Sequence, residues 1–117
     1  TLASEIKTKN KIKKQSVVKV VLGKKQGNFY DAIYFSRAPI PYEAKKYYEH
    51  IGIYAYTIKS LNKFISFKTS KIEMYEKLEQ LRALENQLKI TVGLVKTTPI
   101  SIDTSGDLNL LLKSKLI

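Results

Sequence analysis

Two runs rich in β-branched and aromatic residues, VVKVVL (17–22) and FYDAIYFSR (29–37), flank GKKQGN (23–28), a segment of turn chemistry. Strand, turn and strand in immediate succession predict an antiparallel hairpin. APIPY (38–42) follows, and its two prolines break any hydrogen-bond ladder and hold the backbone extended, so the hairpin ends there. Everything else in the chain has to fold around that pair.

Downstream, the stretch from Glu49 reads as a further strand, EHIGIYAY running on into Thr57 and Ile58. In that reading Ile51, Ile53 and Ala55 face the core, while His50, Gly52, Tyr54 and Tyr56 share the opposite face. SLNKFISF reads as a short helix starting at a cap, Ser60. A clearer helix is predicted over Ile72–Asn86, with Met74, Leu78, Leu81 and Leu88 as its core stripe. KITVGLV (89–95) reads as a strand, TTPISID (97–103) as an extended segment ending in an acid, and Thr104 with Asp107 as a capping box before a helix through Leu112. The opening TLASEIKTKNKIKKQS has little apolar periodicity and reads as a lead-in loop or a frayed helix end. Strands alternating with helices, behind a hairpin, predict the α/β class with a mixed sheet and one structural unit over residues 1–117.

At 117 residues and 13.4 kDa the chain has the size of one domain. With 44% hydrophobic and 26% charged residues it is expected to be globular and ordered. Its apolar runs are too short to span a bilayer, so no membrane partner is expected. The lack of cysteine rules out disulfides and thiolate metal sites and fits a reducing compartment. A net charge of +11 attracts polyanions, and a basic nucleic-acid-binding module is one reading. Only two of the 21 basic residues are arginine, however, and the lysines are spread along the chain. That pattern favours a solvated lysine coat over a nucleic-acid interface.

The five glycines are scattered, which excludes a clustered phosphate cradle, and His50 has no nucleophile elbow beside it. What remains is a set of polar residues at the ends of elements. His50, Tyr54 and Tyr56, with Gly52 as clearance, could form a shelf for a hydroxylated, anionic ligand; they could equally be a half-exposed face covering a helix. Asp103 could hold magnesium together with substrate phosphates, or simply favour a helix start. Glu79 and Gln80, taken singly, read as solvated helix positions. Arg37 could bind a carboxylate or phosphate, or form a fork onto backbone carbonyls.

Five stretches taken together, VVKVVL, YFSRAPIPY, YYEHIGIYAY, IEMYEKLEQLRALEN and PISIDTSGDL, resemble in content and order the 3-deoxy-manno-octulosonate (KDO) cytidylyltransferases. The resemblance covers almost the whole chain. It implies a three-layer α/β fold like that of nucleotide-diphospho-sugar transferases, in which CTP and KDO meet at the carboxyl ends of the sheet. It implies that His50, Tyr54, Glu79, Gln80 and, within the SRAPIP motif, Arg37 contact the sugar acid and that Asp103 is a magnesium ligand. A homodimer, a cytoplasmic location and a place in lipopolysaccharide synthesis are implied for the intact enzyme. Family members are longer, and their CTP-gripping loop and a further magnesium aspartate would precede Thr1, so the chain reads as a C-terminal half. A shortened linker over Tyr42–Tyr47, and TSGDL where TPEDL is usual, are departures from the pattern. A cytidylyltransferase for another acidic sugar is the neighbouring reading.

Overall fold

The computed structural model describes residues 1–99 and 102–114. The chain runs β1 (Leu2–Glu5), α1 (Lys9–Lys13), β2 (Lys19–Gln26), β3 (Phe29–Ser36), β4 (Tyr48–Ile51), α2 (Ile58–Ser66), α3 (Lys71–Glu76), α4 (Gln80–Glu85), β5 (Thr91–Val95) and α5 (Ser105–Lys113).

The predicted hairpin is β2–β3, and its strands reach further into the turn than the apolar runs do. Lys19 pairs with Ser36 and Val20 with Phe35; the register then shifts around Leu22, and Gln26 meets Phe29. Only Gly27 and Asn28 are left in the turn, with Gly27 at φ 59°, where glycine carries no Cβ penalty. The strands are ordered β1-β4-β2-β3-β5, and β5 returns to pair with β1 in parallel, closing the sheet on itself. All other pairings are antiparallel, so the sheet is mixed, as expected. Ala3, Val20, Phe35 and Val92 from the strands pack with Leu78 and Leu81 in one core.

Four expectations need correction. The opening segment is not a lead-in: Leu2–Glu5 is a strand held between β4 and β5, and Ala3 and Ser4 are buried. Small residues suit a strand crowded from both sides, which is why no apolar alternation marks it. The strand expected from Glu49 to Ile58 ends at Ile51, after which the Ile53 amide turns back onto the Ile51 carbonyl at 2.7 Å. Ile53 and Ala55 are therefore exposed rather than core. The helix expected from Ser60 starts at Ile58, because Thr57 supplies the cap, accepting from the Ser60 amide at 3.1 Å.

Finally, the helix expected over Ile72–Asn86 is two helices. α3 opens with a reciprocal capping box between Ser70 and Glu73 and stops at Lys77, which is left-handed at φ 56°. The break turns Leu78 and Leu81 into the core and leaves Met74 58% exposed. At the other end of the chain the Thr104–Asp107 capping box forms as predicted and opens α5. Part of the extended segment over 97–103, Ile100 and Ser101, lies outside the described residues.

Candidate functional site

His50 sits next to the last residue of β4, opposite Ala3. Its Nε2 lies 2.9 Å from Thr1 Oγ1, and the same hydroxyl is 2.7 Å from the Ile53 carbonyl and 3.1 Å from that of Ile51. Thr1 thus ties the imidazole to the turn that ends the strand. Burial, reinforced by the Thr1 ammonium, pushes the imidazole down to about 4, so His50 is neutral at pH 7.

From His50 a ladder of rings runs outward. Phe35 meets the imidazole edge-on at 4.9 Å, Tyr54 follows at 5.4 Å, Tyr56 lies 6.1 Å beyond it, and Phe64 of α2 lies 6.0 Å from Tyr56. The Arg82 guanidinium lies over the Phe64 ring at 5.2 Å. Although Tyr54 and Tyr56 lie beyond the end of the strand, these edge-on and tilted ring contacts hold them on the side where strand alternation would have put them. Burial, then the neighbouring Tyr56 and the Glu79 carboxylate, raise the Tyr54 phenol above its ordinary range. Tyr56 is raised by burial and by Glu79. Glu79 therefore acts on both phenols, although no periodicity in sequence links α4 to the segment after β4.

Glu79 is the N-cap of α4 and Gln80 its first residue; Glu79 is exposed and Gln80 is 5% exposed. A cleft of about 100 Å³ opens beside Tyr54 and Tyr56, lined further by Thr1, Ser60, Lys89 and Thr91. Gly52 faces open space, since a Cβ placed there would meet nothing within 4 Å. At neutral pH the shelf thus offers two un-ionised phenols as donors and a neutral imidazole, with a carboxylate beside them. Such a set recognises hydroxyl groups, not a second negative charge.

Arg37 takes the fork geometry. Its Nε, Nη1 and Nη2 donate to the carbonyls of Glu76, Gln15 and Lys77 at 3.1, 3.1 and 3.3 Å. Asp103 is exposed just ahead of α5, and its amide donates to Asp107 Oδ2 at 3.2 Å. The Asp107 carboxylate also accepts from the Thr104 hydroxyl and amide, contacts that hold its carboxyl below the usual range. Among the described residues no group of three or more acids or histidines is close enough together to hold a metal by itself.

Sequence reasoning missed two residues that shape the site. One is Thr1, for which a lone threonine gives no signal. The other is Glu76, whose carboxylate accepts from Ser36 at 2.8 Å, from Tyr34 at 3.3 Å and from the Arg37 amide at 3.2 Å, joining α3 to the end of β3.

With that geometry in place, comparison with known proteins is informative. Proteins described as 3-deoxy-manno-octulosonate cytidylyltransferase from Bartonella tribocorum, Paramagnetospirillum magneticum and Rhodopseudomonas palustris are 45%, 46% and 46% identical over 92% of this chain. The aligned region is 44% of each relative, so the chain spans somewhat under half the length of the curated relatives it matches. A solved structure of CMP:2-keto-3-deoxy-manno-octonic acid synthetase complexed with CTP superposes with a TM-score of 0.83 at 35% identity, covering 99% of this chain and 49% of that one. The family described as Cytidylyltransferase matches residues 1–90, and this chain belongs to it.

Proposed function

We propose that the protein takes part in transfer of CMP from CTP to KDO, with this chain supplying the part that holds the sugar acid. The observation that carries the reading is the shelf itself. His50 and Tyr54 meet ring to ring in a tilted contact, Glu79 acts electrostatically on Tyr54, and Gln80 adjoins Glu79 at the head of α4. With Arg37, these are the residues the family resemblance assigns to the sugar. Neutral donors beside a carboxylate suit the hydroxyl-rich side of an eight-carbon sugar acid, and they orient its own carboxylate away from Glu79.

In the reaction the anomeric hydroxyl oxygen of KDO bonds to the α-phosphorus of CTP as the bond to the pyrophosphate oxygen breaks, and the hydroxyl proton is released. Such transfers depend on positioning and charge neutralisation more than on covalent chemistry. The chain's task is then to hold the sugar rigidly, which half-buried His50 and buried Gln80 are placed to do. Magnesium fits only as a companion of the nucleotide: Asp103 offers one exposed carboxylate, which suits an ion completed by phosphate oxygens and water. When bound there it would neutralise phosphate charge. The reading includes a homodimer, a cytoplasmic location and a role in lipopolysaccharide synthesis for the intact protein; among the described residues no helix is long and apolar enough to cross a membrane.

The test is a titration of the 117-residue chain with KDO, followed by NMR, with Tyr54→Phe alongside. KDO should shift the signals of His50, Tyr54 and α4. Loss of one phenol contact should weaken binding by about three- to tenfold, and pyrophosphate release from CTP by this polypeptide alone should be absent. Shifts confined to surface lysines, or equal response to a neutral hexose, would sink the reading.

A further inference from the structure

The guanidinium of Arg37, a group that could have faced a ligand, is turned inward. Its three donors reach the carbonyls of Glu76, Lys77 and Gln15. Its backbone is held from both sides as well: the amide donates to Glu76 Oε2 at 3.2 Å, and the carbonyl accepts from the ammonium of fully buried Lys19. Lys19 also donates to the carbonyls of Lys14 and Val17, so the end of β3 is fastened to the segment leading into β2.

The carbonyls that Arg37 grips are not arbitrary. Glu76 is the last residue of α3 and Lys77 its left-handed cap; Leu78 and Glu79 follow, and Gln80 opens α4. Helix ends leave carbonyls without intrahelical partners, and a left-handed backbone in a residue other than glycine costs on the order of 1 kcal/mol. Such a junction keeps one geometry only if something outside it fixes the carbonyls. A planar fork with rigid donor directions can set both the spacing and the angle of two adjacent carbonyls, whereas a single ammonium cannot.

We infer that Arg37 is a positioning residue: from the end of β3 it fixes the α3–α4 junction and thereby sets where Glu79 and Gln80 stand beside Tyr54 and Tyr56. Its consequence for ligand binding rests on the sugar-binding reading above; the clamp on the junction does not.

Arg37→Lys and Arg37→Gln separate fork from charge. The first readout is native-state hydrogen exchange at the Leu81 and Arg82 amides, which bond to the carbonyls of Leu78 and Glu79 at 3.2 and 3.0 Å and form the first turn of α4. Both variants should speed exchange there by about tenfold, the ratio expected for losing one or two net hydrogen bonds, while Val20, Phe35 and Val92 stay unchanged. The second readout is KDO affinity, which should fall equally in the two variants. Affinity kept in Arg37→Lys but lost in Arg37→Gln would mark a direct charge contact and overturn the inference. Unchanged exchange at Leu81 and Arg82, or unchanged affinity in both variants, would overturn it too. If the parent chain does not bind KDO, the sugar reading fails while the exchange arm still decides the clamp. Should Arg37→Gln not fold, Glu76→Gln loosens the same junction from the α3 side and should speed the same two amides.

Discussion

His50 shows how one residue can be fixed by its surroundings. The ring has Phe35 on one side and Tyr54 on the other, with Thr1 at its Nε2. The folded protein holds it neutral down to about pH 4, while in the unfolded chain it takes up a proton near its ordinary value of 6.5. Between those values the unfolded chain binds more protons, so stability is complete above pH 6.5 and falls as pH drops toward 4. Because the ring is only partly shielded, about 1 kcal/mol should be lost by pH 5, less than the full linkage value of roughly 1.4 kcal/mol per pH unit. Urea unfolding at pH 7.5 and pH 5 measures it together with the share of the Thr1 amine, which burial lowers from 8.0, and His50→Gln should remove the imidazole's share and so reduce the difference. The depressed carboxyl of Glu73 starts from 4.5 and so titrates below this window. Equal stability at both pH values in the parent chain would show that the imidazole is not held neutral.

At the scale of elements, α3 and α4 are joined by more than Arg37. Glu73 is 8% exposed; it accepts the Ser70 amide at 3.1 Å in the capping box and receives Arg82 Nε at 2.8 Å together with Nη2. One carboxylate therefore starts α3 and anchors the last turn of α4. Glu73→Ala removes one half of the capping box and leaves a largely buried guanidinium without its partner, at a cost of roughly 3 kcal/mol. A fall of under about 1 kcal/mol in urea unfolding would show that the pair is incidental. The two-helix form also shows what the sequence makes legible. The Leu78 and Leu81 spacing marks the buried stripe correctly, and the Thr104–Asp107 box marks α5 correctly, because both signals are local. The left-handed turn at Lys77 has no local signal, since lysine does not favour it; it exists because Arg37, forty residues earlier, supplies the partner. Likewise the shelf side of His50 and Tyr54 is legible from alternation, whereas the proximity of Glu79 to both tyrosines is a tertiary fact. β1 was illegible for a related reason: its burial comes from β4 and β5, and small residues such as Ala3 and Ser4 leave no pattern.

For the whole molecule, closure of the sheet bears on self-association. A half-sheet would offer an open apolar edge, but β5 returns to β1 and the described strands leave none. Apolar surface is exposed on the outer faces of the elements, with Ile33 of β3 60% exposed, and most of all on helices. On α2, Ile58 is 81% exposed, Ile65 67% and Leu61 43%, while α5 buries none of its residues. Against this stands a charge of +11, which drives copies apart. The two forces differ in their response to salt: screening shortens to about 3 Å at 1 M and removes the repulsion, whereas apolar burial persists. Sedimentation of the 117-residue chain should therefore show monomer at low salt and concentration-dependent dimer at high salt. The double variant Ile58→Glu, Ile65→Glu should remain monomeric throughout. Attraction to nucleic acid through the lysine coat would follow the opposite course, weakening as salt rises, so one salt series separates the two. A chain that stays monomeric at every salt concentration, or a double variant that dimerises as readily as the parent, would show that the α2 face does not drive association.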